Sequence, residues 1–268
     1  MTNFFRSQSR SFRLRTLGPL LAVLMTAACA TPSMDGAVDD SVNDPLEPMN
    51  RAIFSFNQFA EGLLFKPLAL LYRDLLPPEV QDAVGGILEI LHTPITLAND
   101  ILQGEPERAA ETLGRFFING TVGLGGIFDV AAEFGMVGHS EDFGQTLAVW
   151  GSGEGMYLML PLLGPSNVRD GIGLGVDAFI DPLTYYASFG EQAGRSAARG
   201  IDQLSGVVDS LDEIERTSLD FYATLRSLYR QQRDDQIRNG AAPPVVPIPS
   251  ISFDDFDPSD EDQVSQVN

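Results

Sequence analysis

Cysteine and histidine are almost absent from this sequence of 268 residues. It contains one cysteine, Cys29, and two histidines, His92 and His139. A single cysteine excludes an intramolecular disulfide framework. A zinc site of the usual kind needs several converging histidine or cysteine ligands, so we expect no metal site and no cofactor.

Lysine is equally scarce, because Lys66 is the only lysine among 17 basic residues. These basic residues are opposed by 37 acidic ones, which gives a formal net charge of −20. Binding to nucleic acid needs clustered lysine and arginine that neutralise phosphates. The composition therefore excludes nucleic acid as a partner, and it argues against docking onto anionic lipid by charge alone.

Long hydrophobic runs are missing from the body of the chain, although 44% of the residues are apolar. No uninterrupted run there reaches the roughly 18 residues that mark a membrane-spanning helix. The pattern instead predicts several amphipathic helices with wide apolar arcs. Two interpretations stay open: all the arcs face one soluble helical core, or part of the apolar surface faces lipid.

The first 28 residues have the layout of an export signal. Four arginines and no acidic residue come first, an apolar run follows at residues 17–25, and small residues precede Cys29. This arrangement is similar to bacterial lipoprotein signals, whose cysteine receives diacylglycerol on sulfur and an acyl chain on its new amino group. We therefore predict lipidation of Cys29, and Ala30 after it points to the outer membrane. The alternative is ordinary cleavage that leaves Cys29 as a free thiol.

Composition divides the remainder of the chain into three parts. Residues 29–43 form the lipid anchor and a flexible tether without apolar periodicity, residues 44–239 form one helical domain, and residues 240–268 form a disordered acidic tail. Removal of residues 1–28 takes away four basic residues and no acidic one, so the formal charge falls from −20 to −24.

Helical periodicity and its interruptions predict the elements of the domain. Asp44 is expected to cap the first helix, with Pro45 at its first position and Asn50, Arg51 and Asn57 on its polar face. Pro67 should end or kink this helix, and Pro94 should break the chain between two later ones. Further helices are predicted at about 106–118 and, as one long helix or a pair, at about 194–238. The glycine-dense stretch between them should contain short helices, turns and one possible hairpin.

Catalytic signatures are weak, and we expect no catalytic residue. Gly151-Ser152-Gly153 has the wrong spacing for a nucleophile elbow and no strand before it, so an envelope phospholipase is a distant alternative. Arg115 and Arg169 are more informative, because a guanidinium among apolar or glycine-rich neighbours should pair with a carboxylate or a phosphate. For Arg169 the adjacent Asp170 favours a structural contact over ligand binding.

Several short strings in order are too specific to be generic. They are Asp44-Pro-Leu-Glu-Pro-Met-Asn-Arg51, Phe56-Asn57, Leu102-Gln-Gly104, Arg115-Phe116, Asn119, Gly123-Leu-Gly-Gly126, Asp129-Val-Ala131, Asp142-Phe-Gly-Gln-Thr-Leu147, Trp150-Gly151, Gly155-Met-Tyr157, Leu160-Pro161, Gly164-Pro-Ser166 and Arg169-Asp170. Together, over about residues 44–230, they resemble the MlaA (VacJ) family of outer-membrane lipoproteins. The departure is Pro48-Met49, where members often have glycine followed by an aromatic residue.

The resemblance implies a fold, a function and partners. It implies an all-α, ring-like or disc-like domain of amphipathic helices embedded in the membrane from the periplasmic side, with a central polar channel. Mislocalised phospholipids would leave the outer leaflet through this channel and pass to a soluble periplasmic lipid carrier, which keeps the outer membrane asymmetric. Members associate with trimeric outer-membrane porins and are not enzymes.

By the same resemblance, particular residues are expected to serve the lipid path. The candidate lipid-pathway residues are Asn50, Arg51, Asn57, Arg115, Asn119 and Arg169. A mobile glycine hairpin near the channel is expected at Gly120, Gly123, Gly125 and Gly126. The alternative function is that of a structural or adaptor lipoprotein of the envelope that transports no lipid.

Overall fold

The computed structural model describes residues 43–242 of the chain. The predicted signal peptide, the lipidation of Cys29, the acidic tail and all of the tether except Asn43 therefore lie outside the described residues. The proposed domain boundaries stay predictions.

The described chain is built almost entirely of helices, which confirms the predicted all-α class. In chain order the elements are α1 (Glu47–Ala60), a π-helical turn (Glu61–Phe65), α2 (Lys66–Leu75), α3 (Pro78–Gln103), α4 (Pro106–Thr121), α5 (Val130–Glu133), α6 (Phe143–Val149), β1 (Tyr157–Leu160), β2 (Gly164–Asn167), α7 (Val168–Ile180), α8 (Leu183–Tyr186), α9 (Phe189–Thr217) and α10 (Phe221–Ile237). Within residues 43–242, no helix combines the length and the apolar character that crossing a bilayer requires.

The start of α1 differs from the expectation that Asp44 caps it. The helix begins at Glu47, and the residue at its N-cap position, Leu46, makes no side-chain cap. The carboxylate of Asp44 instead accepts hydrogen bonds from Asn50 at 2.8 Å and from Tyr222 of α10 at 2.6 Å. Asp44 therefore does not cap α1. It connects the segment before α1 to α10, the last helix.

The two prolines behave differently from each other. Before Pro67 the chain widens into the π-helical turn, as expected of a helix that must accommodate a missing N–H group. The prediction that Pro94 breaks the chain is wrong, because Pro94 lies inside the 26-residue helix α3. The turns that follow it are tightly packed, with Ile95 and Asn99 buried, and this packing outweighs the local cost of the proline of about 3 kcal/mol.

The possible hairpin in the glycine-dense region exists and consists of β1 and β2. The strands pair antiparallel from Tyr157 opposite Asn167 to Leu160 opposite Gly164. Gly164 has φ +86° at the turn, a conformation that glycine adopts without strain. On its inner face the hairpin meets α1 and α10 in the main apolar cluster, which contains Phe54, Tyr157, Met159 and Tyr222.

The remaining helices pack in neighbouring pairs: α3 on α4, α6 on α7, and the long α9 along α2. The predicted C-terminal helix pair is confirmed as α9 and α10. Helices α6 and α7 approach closely at two glycines, because a Cβ atom added to Gly173 would lie 2.4 Å from the backbone nitrogen of Gly144. This contact brings buried polar side chains of both helices together.

Candidate functional site

The interior of the described domain is mainly polar. Nineteen polar or charged residues are buried, against eight hydrophobic ones, while 34 large hydrophobic side chains are exposed. A protein folded in water normally shows the opposite distribution, with apolar side chains inside. The candidate site therefore lies in this polar interior.

A small cavity of about 30 Å³, partly open to solvent, lies between α3, α4, α9 and the segment before α6. The side chains that line it are Glu89, His92, Thr93, Thr96, Thr112, Arg115, His139, Ser140 and Arg199. The lining contains two arginines, two histidines and a single carboxylate. Its surplus of cationic and hydroxyl groups suits an anionic ligand that accepts hydrogen bonds.

Arg199 gives the cavity its positive character. Among residues 43–242, no carboxylate lies within ion-pair distance of its guanidinium, whereas its neighbour Arg195 pairs with Asp181. Burial lowers the pKa of Arg199, and the nearby charge of Arg195 lowers it further. Glu89 and Asp202 offset this only in part, so a half-buried guanidinium that forms no ion pair gains free energy when an anion enters the cavity.

His92 lies beside these arginines and is neutral at neutral pH. Burial, followed by the charges of Arg199 and Arg195, lowers the pKa of His92 to about 4. At neutral pH the ring therefore offers one hydrogen-bond donor and one acceptor, and the positive charge of the cavity comes from its arginines.

Arg115 lines the cavity from α4 and is well paired. It donates to Glu89 at 2.9 Å, to Asp129 at 3.0 Å and to the carbonyl of Met136 at 2.8 Å. Burial opposes its charge, but the hydrogen bonds to Asp129 and Glu89 outweigh burial and raise the pKa of Arg115. One turn along α4, Asn119 donates to Asp129 at 2.9 Å. Both predicted residues thus fix the wall beside the cavity.

Asn50 and Asn57, two other predicted pathway residues, hold the hairpin. Asn50 is fully buried, donates to the carbonyl of Tyr157 at 3.1 Å and accepts from the backbone N–H of Met159 at 2.9 Å. Asn57 bonds the turn in the same way, donating to the carbonyl of Leu160 at 2.9 Å and accepting from Leu162 at 2.8 Å. Neither lines the cavity.

The predicted arginines Arg51 and Arg169 also lie outside the cavity lining. Arg51 donates to Asp220 at 2.6 Å and lies over the ring of Tyr222, with 4.4 Å from its guanidinium carbon to the ring centroid. Arg169 donates to Asp170 at 3.0 Å, the structural contact favoured from the sequence.

Sequence reasoning missed Arg233 and Tyr229 of α10. Arg233 makes a bidentate contact with Asp142, at 2.6 and 2.5 Å, and its Nε lies 2.8 Å from Asp170. Tyr229 donates to the same Asp170 carboxylate. These contacts span 59 to 91 residues of sequence, so a local pattern offers no signal for them.

The glycine segment expected to form a mobile hairpin has another form. Gly120 lies within α4, and Gly123, Gly125 and Gly126 follow in consecutive turns, whereas the two-stranded hairpin lies at β1 and β2. Gly126 has φ +95° and packs on α3, where an added Cβ would lie 2.5 Å from the carbonyl oxygen of Gly86. Glycine is needed here for close backbone approach, and the mobility of the segment stays a prediction.

Comparison with known proteins places the chain. The model of the MlaA lipoprotein family matches residues 42–236. The intermembrane phospholipid transport system lipoprotein MlaA of Escherichia coli K12 is 31% identical over 235 residues, which are 85% of this chain and 90% of that protein. An uncharacterized protein of Rickettsia bellii is 34% identical over 198 residues, or 74% of this chain and 78% of that one.

A similar chain comes from a solved structure on the structural basis for maintenance of bacterial outer membrane lipid asymmetry. It superposes on this protein with a TM-score of 0.66 and is 32% identical in sequence. It covers 72% of this chain and 98% of its own length. Fold and site define the class: an all-α protein with a polar interior and apolar side chains outside. Within that class, the chain belongs to the MlaA lipoprotein family, which confirms the resemblance found in its motifs.

Proposed function

We propose that this chain removes mislocalised phospholipids from the outer leaflet of the outer membrane and passes them to a periplasmic carrier for retrograde transport. It would do so as a lipoprotein anchored through Cys29 and embedded from the periplasmic side, without enzymatic chemistry. The observation that carries the proposal is the inverted distribution of side chains, polar inside and apolar outside. The relatives named for intermembrane phospholipid transport support it.

The proposed mechanism lowers the free-energy barrier to moving a lipid head group across the membrane. A charged or zwitterionic head group crosses hydrocarbon only at great free-energy cost, because nothing there replaces its hydration. Buried threonines, asparagines and arginines offer such replacement, while exposed apolar faces, such as those bearing Phe59 and Leu64, suit contact with acyl chains. Head groups would therefore travel through the polar interior.

The cavity beside Arg199 is the proposed station for the head group. Its phosphate would accept hydrogen bonds from Arg199 and from threonine hydroxyls such as Thr96, with Arg115 fixing the wall. Asn50, Asn57, Arg51 and Arg169 would serve the path indirectly, because their contacts hold the hairpin and the helices around it. The partners of this scheme are phospholipid, a trimeric outer-membrane porin and the periplasmic carrier.

Charge reversal at Arg199 tests the mechanism in the bacterium. Deletion of the gene should raise outer-leaflet phospholipid and detergent sensitivity, and the unaltered gene should restore the barrier. We expect Arg199→Glu to fail to restore it, because a carboxylate repels phosphate in the cavity. The matched control is Arg216→Glu at an exposed position of the same helix, which should restore the barrier.

Equal complementation by the two variants would contradict the proposed role of Arg199. An intact barrier in the deletion strain would contradict phospholipid transport itself. Purified protein separates the remaining alternative, since copurified phospholipid supports a transport path, whereas a lipid-free, water-soluble monomer supports an adaptor.

A further inference from the structure

Three side chains of different chemistry converge next to the cavity. Asp100 comes from α3, and His139 and Glu141 come from the segment that precedes α6. One ligand atom of each lies within 4.8 Å of the others, and His139 Nε2 is 3.1 Å from Asp100 Oδ1. Both carboxylates are buried, with Asp100 0% and Glu141 1% exposed.

The two buried carboxylates differ in how their charge is balanced. Glu141 accepts a hydrogen bond from Arg108 at 2.6 Å, which supplies one positive charge. Asp100 accepts from the hydroxyl of Thr112 at 2.6 Å and faces the ring of His139. In the part of the chain that the structure describes, no lysine or arginine reaches Asp100. A cation close by, either a protonated base or a metal ion, stabilises a fully buried carboxylate.

We infer that Asp100, His139 and Glu141 form a zinc site that nothing in the proposed transport function requires. One imidazole nitrogen and two carboxylate oxygens are ligands that Zn²⁺ takes at about 2.0–2.2 Å. The three atoms, which lie within 4.8 Å of one another, would move closer together around the ion. The sequence offered too few histidines and cysteines for zinc, but carboxylates brought together by the fold supply the missing ligands. The cavity, which His139 also lines, gives the ion a route of entry.

Neighbouring side chains hold these ligands in place. Gln103 donates to Glu141 at 2.9 Å, while Arg108 bonds the other oxygen of the same carboxylate. The hydroxyl of Thr112 donates to the carboxylate of Asp100 and holds it in place. Each carboxylate oxygen has two lone pairs, so these donors and a metal ion can be accommodated together. Outer hydrogen bonds of this kind orient the ligands of metal sites in general.

Zinc titration of the purified full chain tests the site. The protein, held in detergent and stripped with a chelator, should bind one Zn²⁺ from zinc chloride. His139→Ala and Glu141→Gln should each weaken this binding at least about tenfold, since loss of a mere supporting hydrogen bond already costs about 10–100-fold. His92→Ala is the matched control, because His92 lines the same cavity outside the triad, and it should bind zinc like the unaltered chain.

Two further measurements keep the inference falsifiable. Co²⁺ should give the visible absorption of a nitrogen and oxygen site in the unaltered chain and in His92→Ala, but not in His139→Ala. Zinc should raise the thermal midpoint of the same two proteins only. The site does not exist if the unaltered chain binds no zinc, or if His92→Ala weakens binding as much as His139→Ala does. Should His139→Ala not fold, unchanged zinc affinity in Glu141→Gln would overturn the inference by itself.

Discussion

The outward side of the first helices and the inward side of the central helices differ in their chemistry. From α1 through α2, large apolar residues point outward, and Phe59, Leu63 and Leu75 are each about two-thirds exposed (67%, 68% and 68%). In α3 and α4, by contrast, Asn99, Asp100 and Asn119 are buried. Both regions are amphipathic in the same sense, since α1 also buries Asn50 and α4 also exposes Phe117.

This difference teaches what surroundings the fold suits. In water the hydrophobic effect would favour burial of the apolar faces, and buried polar groups would add little net stability. In an apolar medium the apolar faces lose nothing by exposure, and van der Waals packing together with hydrogen bonds among buried polar groups holds the helices together. The contrast therefore supports the proposed membrane setting.

Substitution of the buried residue Asp170 should disrupt the polar interior most. Its carboxylate contacts Arg169, Arg233 and Tyr229, and Asp170→Ala leaves buried charges without their partner. We expect the free energy of unfolding to fall by about 3–5 kcal/mol, measured by denaturation in detergent. Asp234→Ala, at an exposed position of α10, is the control and should change stability little.

Substitution of Phe59 tests the exposed apolar surface. Replacement of Phe59 by Asp places a charge on the exposed apolar face, which should weaken partition into lipid vesicles by about 2.5–3.5 kcal/mol if that face lies at the membrane centre. Flotation with vesicles measures this. Gln203→Asp, also on an exposed helix position, should float like the unaltered protein. Unchanged flotation of the Phe59 variant would place that face in water.

The contact between α6 and α7 depends on Gly173. A Cβ there would overlap the backbone of Gly144, so Gly173→Ala should lower the free energy of unfolding by about 1–3 kcal/mol. Gly175→Ala is the matched control in the same helix, since open space surrounds its Cβ position. It should leave the protein as stable or slightly more so, and equal loss in both variants would argue against close packing.

His92 should make stability depend on pH. Its pKa is lowered from 6.5 to about 4 in the folded protein by burial and by Arg199 and Arg195, so below pH 6.5 the unfolded chain binds more protons than the folded one. The contribution of neutral His92 to the free energy of unfolding is therefore present above pH 6.5 and is lost as the pH falls toward 4. Thermal midpoints across this range should decline less steeply in His92→Asn. Parallel curves for the two proteins would contradict the shift.

The smallest effect is expected at the start of α9. Ser188 and Glu191 form a capping box there, and Ser188→Ala should destabilise the protein by about 1 kcal/mol. Ser196→Ala, in the exposed middle of the same helix, should be neutral or slightly stabilising. Thermal melts of the two variants side by side separate the cap from the mere loss of a hydroxyl.

Local sequence predicted much of the helical framework. The helix from Pro106 and the C-terminal pair follow from periodicity and proline placement, because such signals act within one or two turns. Pro94 shows the limit, since tertiary packing of α3 overrides the intrinsic preference of a single residue.

The arrangement of the site could be predicted only in part. An amphipathic pattern states that two faces differ, but not which one lies inside, so the pattern of α1 does not reveal that Asn50 holds the hairpin. Nothing in the local sequence distinguishes Arg199 from other arginines on polar helix faces, because only the fold places it in the cavity. Arg233 and Asp142 are 91 residues apart, and no local spacing reveals such pairs.

Asn43 joins the start of the domain to the hairpin, because its carbonyl accepts from Tyr157 at 2.9 Å and its amide donates to Gly155 at 3.1 Å. A lipid on Cys29 would be separated from this point by fourteen residues, which span at most about 50 Å when fully extended. The anchor then sets a maximum height of the hairpin above the acyl chains. Deletion within residues 30–42 would lower this maximum distance, so the length of the tether limits how far the domain can lie from a lipid on Cys29.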